Sequence, residues 1–285
     1  MTAGPSRTLP TDRAAVMAIV NRTPDSSDRG ATYSDDAAMA AVDRAVAEGA
    51  DIVDIGGVKA GPGDEVGVAE ETRRVVPFIA LVRERYPGLL ISVDTWRDEV
   101  ARPALDAGAD ILNDTWAGLD PKLAEVAAEN GCGVVCSYPS GAVPRTMPHR
   151  FRYTDVVHGV IGDLASQADE LVGLGVPKEA ILIDPTHHFG ANTWPGLDLL
   201  HRCDELVATG WPVLMTLSNK DFIGEALGKG VDDPVEGTLA ATAVAAWAGV
   251  RVFRVHQVLQ TRRVLEMVAS IAGTRPPTRA VRGLA

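Results

Sequence analysis

LMTLSNKDFIG, residues 214 to 224, is an apolar run that ends in Ser218, Asn219 and Lys220 and then turns into a helical pattern. A lysine leaving the end of a buried strand has its ammonium held at one point above an apolar floor, which suits ligand binding. One lysine after a core strand is more often simply exposed. The ligand reading gains weight from the rest of the chain, where seven other apolar runs also finish in polar groups.

With 214 to 217 extended back to Pro212, the runs are 16–20 VMAIV, 52–55 IVDI, 89–93 LLISV, 110–112 DIL, 132–136 CGVVC, 181–183 ILI, 212–217 PVLMTL and 251–255 RVFRV. Segments of helical period lie between and after them, near 36–48, 69–86, 97–107, 120–130, 155–174, 196–208, 233–248 and 257–271. Six end at a glycine able to take the left-handed cap: Gly49, Gly108, Gly131, Gly175, Gly210 and Gly249. Near-continuous apolar strands imply a parallel sheet covered by helices. Eight strand–helix units predict closure into a (β/α)8 TIM barrel, an α/β fold. The competing open, doubly wound sheet calls for a G-x-G-x-x-G loop after the first strand, and Asn21-Arg22-Thr23-Pro24-Asp25 stands there instead.

A chain of 285 residues with 46% hydrophobic content is of a size to form one barrel domain, expected over 15–272. Residues 1–14 read as a mobile tail and 273–285 as a basic one. A net charge of -11 argues against nucleic acid or an anionic membrane as partner. Cys132, Cys136 and Cys203 have no C-x-x-C spacing, so neither a disulfide framework nor a thiolate zinc site is indicated. No apolar run approaches membrane-spanning length, and the first residues lack a signal peptide's apolar segment. A cytoplasmic location is the expectation.

In such a barrel the chemistry belongs to the loops after the strands. Those positions hold Asn21; Asp54 with GGVKAGPG around it; Asp94; Asn113 and Asp114; Asp184 with His187 and His188; Ser218 and Lys220; and Arg254 with His256. A lone Asp at a strand end is more often a helix cap, a reading that suits Asp114 and Asp120. Polar groups converging from nearly every strand share one mouth, which caps do not explain. Two acids, Asp94 and Asp184, with the amide of Asn113 suit a flat heterocycle bearing several N–H donors. Arg254, His256 and Asn21 suit an anion, and Lys220 lies between the two sets.

These motifs resemble the dihydropteroate synthases, a family of pterin-binding barrels. The likeness runs from about residue 16 to 271: N-x-T-P-D-S after strand one, DIGG after two, SVDT after three, ND after four, D-P-x-x-x-F-G after six, S-x-K-x-F-I-G after seven and R-V-H after eight. The resemblance implies that Asp94, Asn113, Asp184 and Lys220 hold a 7,8-dihydropterin diphosphate by its pterin. Phe189 and residues such as Ile111 would be the apolar bed, and Asp94, Asp184 and Lys220 the catalytic groups. Asn21, Arg254 and His256 would hold the diphosphate, with Mg2+ on Asn21. In the family the diphosphate leaves first and the amine of p-aminobenzoate attacks the cation-like pterin CH2. The family also implies a homodimer packed through the last helices, where 237–249 reads GTLAATAVAAWAG.

The departures from the family pattern fall on the second-substrate side. G-G-E-S-T-R-P-G becomes Gly56-Gly57-Val58-Lys59-Ala60-Gly61-Pro62-Gly63, and P-D-S-F-S-D-G becomes Pro24-Asp25-Ser26-Ser27-Asp28-Arg29-Gly30. S-R-K-S becomes Ser218-Asn219-Lys220-Asp221, placing a carboxylate where the acceptor's own carboxylate would lie. Ser27, Lys59, Ala60, Gly61, Asn219 and Asp221 thus define an altered acceptor subsite. NRTPDS, GGVKAGPG, SVDTW and LSNKD are similar to the divergent second copy that mycobacteria and other actinobacteria carry. The expected function is therefore pterin diphosphate binding with synthase turnover weak, lost or redirected to another acceptor. An active synthase is the first alternative. A metal-dependent hydrolase using His187, His188, Asp184 and His256, or a pterin-dependent methyltransferase, follows behind. Arg145, Arg150 and Arg152 in 144–155 read either as a clamp for an acidic tail or as a solvated loop.

Overall fold

The computed structural model describes residues 7–23, 34–59, 63–114, 120–138, 154–186, 193–230 and 235–281. Eight parallel strands run in the order β6-β5-β4-β3-β2-β1-β8-β7. They are β1 (Ala15–Asn21), β2 (Ile52–Gly56), β3 (Leu90–Asp94), β4 (Ile111–Asp114), β5 (Gly133–Ser137), β6 (Ile181–Asp184), β7 (Leu214–Met215) and β8 (Val252–Val255). A parallel bridge between Ile183 and Val213 joins β6 to β7 and closes the barrel.

Ten α-helices cover the outside among the described residues: α1 (Asp35–Ala47), α2 (Val68–Arg85), α3 (Asp98–Asp106), α4 (Lys122–Asn130), α5 (Val156–Leu174), α6 (Thr193–His201), α7 (Cys203–Ala208), α8 (Asp221–Leu227), α9 (Val235–Ala248) and α10 (Val258–Ala272). All six expected capping glycines have φ between 59° and 110°. Their lack of a Cβ lets each helix stop and turn at once into the next strand.

The structure departs from the sequence pattern in three places. The single helix expected over 196–208 is two, because Arg202 leaves helical geometry at φ -106°, ψ 25°. Its guanidinium spans to Asp155 at 2.9 Å and Glu205 at 2.6 Å. β7 is only two residues long, and Pro212 before it has no N–H to give the ladder. Residues 7 to 14, read as part of a mobile tail, instead form the floor of the barrel. Leu9 packs on its lowest layer, Arg7 pairs with Asp110 at 2.9 Å, and Arg251 reaches the Pro10 carbonyl at 2.6 Å.

Two cores result from the strand period of two. Outward residues such as Val53, Ile55, Ile91 and Leu112 pack under the helices. Inward residues Ala15, Met17, Ile52, Leu90, Ile111, Val135, Leu182, Leu214 and Val252 fill the lower barrel. Two residues further along several strands, the inward position is polar: Asp54, Ser92, Asn113, Asp184, Thr216 and Arg254.

Candidate active site

Strand register decides which polar groups meet. Asp54 stands opposite Ser92, while Asp94, one inward step higher, stands opposite Gly56 on one side and Asn113 on the other. Asp54 is fully buried and collects donors from three strands. Ser92 Oγ donates at 2.6 Å, Asn113 Nδ2 at 3.2 and 3.3 Å to its two oxygens, and Arg254 Nε at 2.6 Å. The Nη2 of Arg254 then reaches Asp94 Oδ2 at 2.9 Å. Burial pulls the Arg254 guanidinium down, and the Asp54 and Asp94 carboxylates outweigh it, so its pKa is raised overall.

Asp184 is buried at the end of β6. Its Oδ1 accepts from the Thr186 backbone N–H at 2.8 Å and its Oδ2 from Thr216 Oγ1 at 3.3 Å. Burial pushes its pKa up to about 6, against the pull of the Thr186 hydrogen bond and the charges of Lys220 and Arg254. Thr186 takes a left-handed φ of 49° to place that N–H, a conformation uncommon for a β-branched residue.

Lys220 is half-buried and directly precedes α8. The loop that carries it is tied to the loop after β8. Ser218 Oγ donates to Gln257 Oε1 at 2.6 Å, Gln257 Nε2 donates to Asn219 Oδ1 at 3.1 Å, and the His256 N–H donates to Ser218 Oγ at 3.2 Å. Asn219 adopts φ 55°, which asparagine tolerates better than most residues. His256 is exposed at the rim and Asn21 half-buried at the end of β1. A Cβ on Gly56 would lie 3.5 Å from both Asn21 Oδ1 and Asp94 Cβ, so the missing side chain keeps open the gap between them.

Buried charges stiffen the site from behind. Glu71 accepts from Thr95 Oγ1 at 2.7 Å and from Arg97 Nη1 at 2.5 Å, and burial raises its pKa. Arg22 lies over the Phe78 ring at 4.6 Å and donates to Asp35 at 2.5 Å, while Arg74 donates to the Gly57 carbonyl at 2.8 Å.

The structure thus brings Asp94, Asn113, Asp184 and Arg254 to one mouth, with Asn21, Lys220 and His256 on its surrounding strand ends. Asp54, seen at a strand end but given no role, holds Ser92, Asn113 and Arg254 together. Gln257 was missed; its only signal was a polar residue following R-V-H. Ile111 is a correction: it lies below Asn113 and lines a cavity of about 690 Å3 at the opposite end of the barrel. Asp114 alternates away from Asn113 to the helix side, beside Cys136, whose thiol burial pushes up to about 12. Asp120 stands one residue before Pro121, the N-cap of α4, and accepts from the Lys122 N–H at 3.0 Å through Oδ1 and from the Asp98 N–H of α3 at 3.3 Å through Oδ2. Lys59 is half-buried and Asp221 exposed in the first turn of α8. Phe189, Ser27, Ala60, Gly61, His187, His188, Arg145, Arg150 and Arg152 lie outside the described residues.

Residues 17–256 match the family described as pterin binding enzyme. The chain belongs to the pterin-binding enzyme family. It is 63% identical over 284 residues to the inactive dihydropteroate synthase 2 of Mycobacterium leprae, covering 98% of each chain. It is 37% identical over 254 residues to the dihydropteroate synthase of Haemophilus influenzae, covering 88% of this chain and 92% of that one. Among solved structures, the Xanthomonas albilineans dihydropteroate synthase in complex with 7,8-dihydropteroate superposes with a TM-score of 0.81. Identity there is 36%, over 93% of this chain and 96% of that one. The polar mouth of this family member therefore lies on a barrel shared with a relative called inactive and with relatives called synthases. No helix among the described residues is long and apolar enough to cross a membrane.

Proposed function

We propose that this chain is a dihydropteroate synthase-like protein that binds a 7,8-dihydropterin diphosphate, with normal synthase turnover weak, lost or redirected to another acceptor. The observation that carries this reading is the split between the two subsites. Asp94, Asn113 and Asp184 are buried, and Arg254 bonds both Asp94 and the Asp54 that holds Asn113. On the acceptor side, Asn219 spends its amide oxygen on Gln257, and Asp221 adds a carboxylate one residue beyond Lys220.

In this reading Asp94, Asn113, Asp184, Lys220 and Phe189 hold the pterin, and Asn21, Arg254 and His256 hold the diphosphate. The amide oxygen of Asn21, beside the gap that Gly56 leaves, is a hard ligand that fits Mg2+. When bound, Mg2+ would neutralise charge on the leaving diphosphate. The carbon–oxygen bond to that group breaks with its electron pair, and the Asp94 and Asp184 carboxylates stabilise the positive charge left on the pterin CH2. An acceptor amine would then attack that carbon and lose a proton.

We also propose a cytoplasmic homodimer without nucleic-acid or membrane partners. Buried free cysteines and the net charge of -11 support the location and the excluded partners. The dimer is supported by Val244 and Trp247 on α9 with Met267 and Ile271 on α10, which are 55 to 64% exposed on helices that pack together.

The test is calorimetric titration with 6-hydroxymethyl-7,8-dihydropterin diphosphate and Mg2+, followed by mass-spectrometric turnover with p-aminobenzoate, each beside Lys220→Ala. Binding by the wild type and not by the variant, with little or no dihydropteroate formed, is the expected result. No binding by folded wild type would overturn the reading, and brisk turnover would establish an active synthase instead.

A further inference from the structure

We infer that Asp54 is a positioning residue that orients both halves of the pocket, an inference that rests on the ligand reading above. A fully buried carboxylate is unfavourable unless its acceptors are filled, and Asp54 fills them with Ser92, Asn113 and Arg254. Two of those three are groups assigned to the ligand. Asp54 lies one inward step before Gly56, the register partner of Asp94, and is bonded by Asn113 from β4 and by Arg254 from β8.

Its effect on each partner follows from what a carboxylate can do. An ionised carboxylate only accepts hydrogen bonds, so it turns the Nδ2 end of Asn113 toward itself. The Asn113 oxygen is thereby left for the ligand, and the pocket presents an acceptor beside the acids Asp94 and Asp184. That favours a ring edge carrying N–H donors and disfavours one carrying only acceptors.

On the other side, the 2.6 Å bond from Arg254 Nε fixes the plane of the guanidinium. One Nη2 bond then reaches Asp94 at 2.9 Å, leaving the remaining N–H donors for an anion. Without Asp54, the guanidinium is free to fork onto Asp94 with two parallel bonds, the geometry that arginine and a carboxylate prefer. Asp94 would then be lost to the pterin and Arg254 to the diphosphate together. One buried acid so couples two subsites that it need not touch.

The experiment titrates wild type, Asp54→Asn, Arg254→Ala and the double variant with inorganic pyrophosphate, and wild type and Asp54→Asn with 6-hydroxymethyl-7,8-dihydropterin. Asp54→Asn is expected to weaken both ligands about tenfold, the size of losing a charged hydrogen-bond partner. In the Arg254→Ala background, the same substitution should change pyrophosphate affinity by less than about twofold, because its effect passes through Arg254. Unchanged affinity in Asp54→Asn, or an equal loss in both backgrounds, would overturn the inference.

Should Asp54→Asn not fold, the Nε–H of Arg254 in the wild type is read by 15N-edited NMR, assigned by its loss in Arg254→Lys. A resolved, slowly exchanging signal is expected with and without ligand. Rapid exchange in the folded protein would overturn the inference even if no ligand binds, whereas a protected signal without ligand binding would sink only the ligand reading.

Discussion

Asp184 shows how one residue's environment sets a pH response. Its folded pKa of about 6 lies above the ordinary 3.8. The folded protein therefore holds a proton there that the unfolded chain releases between those values, and stability from this group falls as pH rises through that window. Urea unfolding of the wild type and Asp184→Asn from pH 4 to pH 8 should show the wild type losing stability relative to the variant up to about pH 6, with no further divergence above about pH 7. A parallel pair of curves would mean that burial does not hold the proton. Gly57 carries a second residue-scale prediction. A Cβ there would meet Val75 Cγ1 at 2.9 Å and Glu71 Cγ at 3.0 Å, inside contact distance. Gly57→Ala should cost about 1–3 kcal/mol by overpacking. A melting temperature within 1 °C of wild type would contradict it.

Between elements, the loops after β7 and β8 behave as one unit because Ser218, Asn219 and Gln257 bond to one another. Gln257→Leu removes both side-chain bonds at a partly buried position, which is expected to cost about 1–3 kcal/mol locally. Hydrogen exchange of residues 218–220 should rise in that variant while the β1 and β2 amides stay as protected as before. Equal rates at 218–220 would mean the loops hold their shape independently. The pairing also explains why Lys220 could be singled out from the sequence while Gln257 could not. The first rests on a strand end read locally, the second on a hydrogen bond spanning 38 residues.

At the scale of the molecule, the apolar face on α9 and α10 is the feature a lone barrel leaves unexplained. Trp247 is 64% exposed and Ile271 61%, which is unusual for such residues in an isolated soluble chain. Trp247→Asp should convert a dimer to a monomer in sedimentation velocity, with the barrel's circular dichroism unchanged. A monomeric wild type at micromolar concentration would refute the proposed dimer. Each outer helix has one packed face and one wet face, but a helix that is apolar all round, as α9 nearly is, gives no period from which to tell inside from interface.

The eight runs, their glycine stops and the polar residues at their ends were enough to specify the barrel and the composition of its mouth, because strand period and left-handed caps are local properties of the chain. Asp94, Asn113, Asp184 and Arg254 could be named on that basis. Which of them touch was decided only by closure: register sets Asp94 against Asn113 and brings Arg254 from the far end of the chain onto Asp54. Burial and partnership are products of packing, so the partners of Asp54, the pKa of Asp184 and the placing of Ile111 at the barrel's other end had no local signal to read.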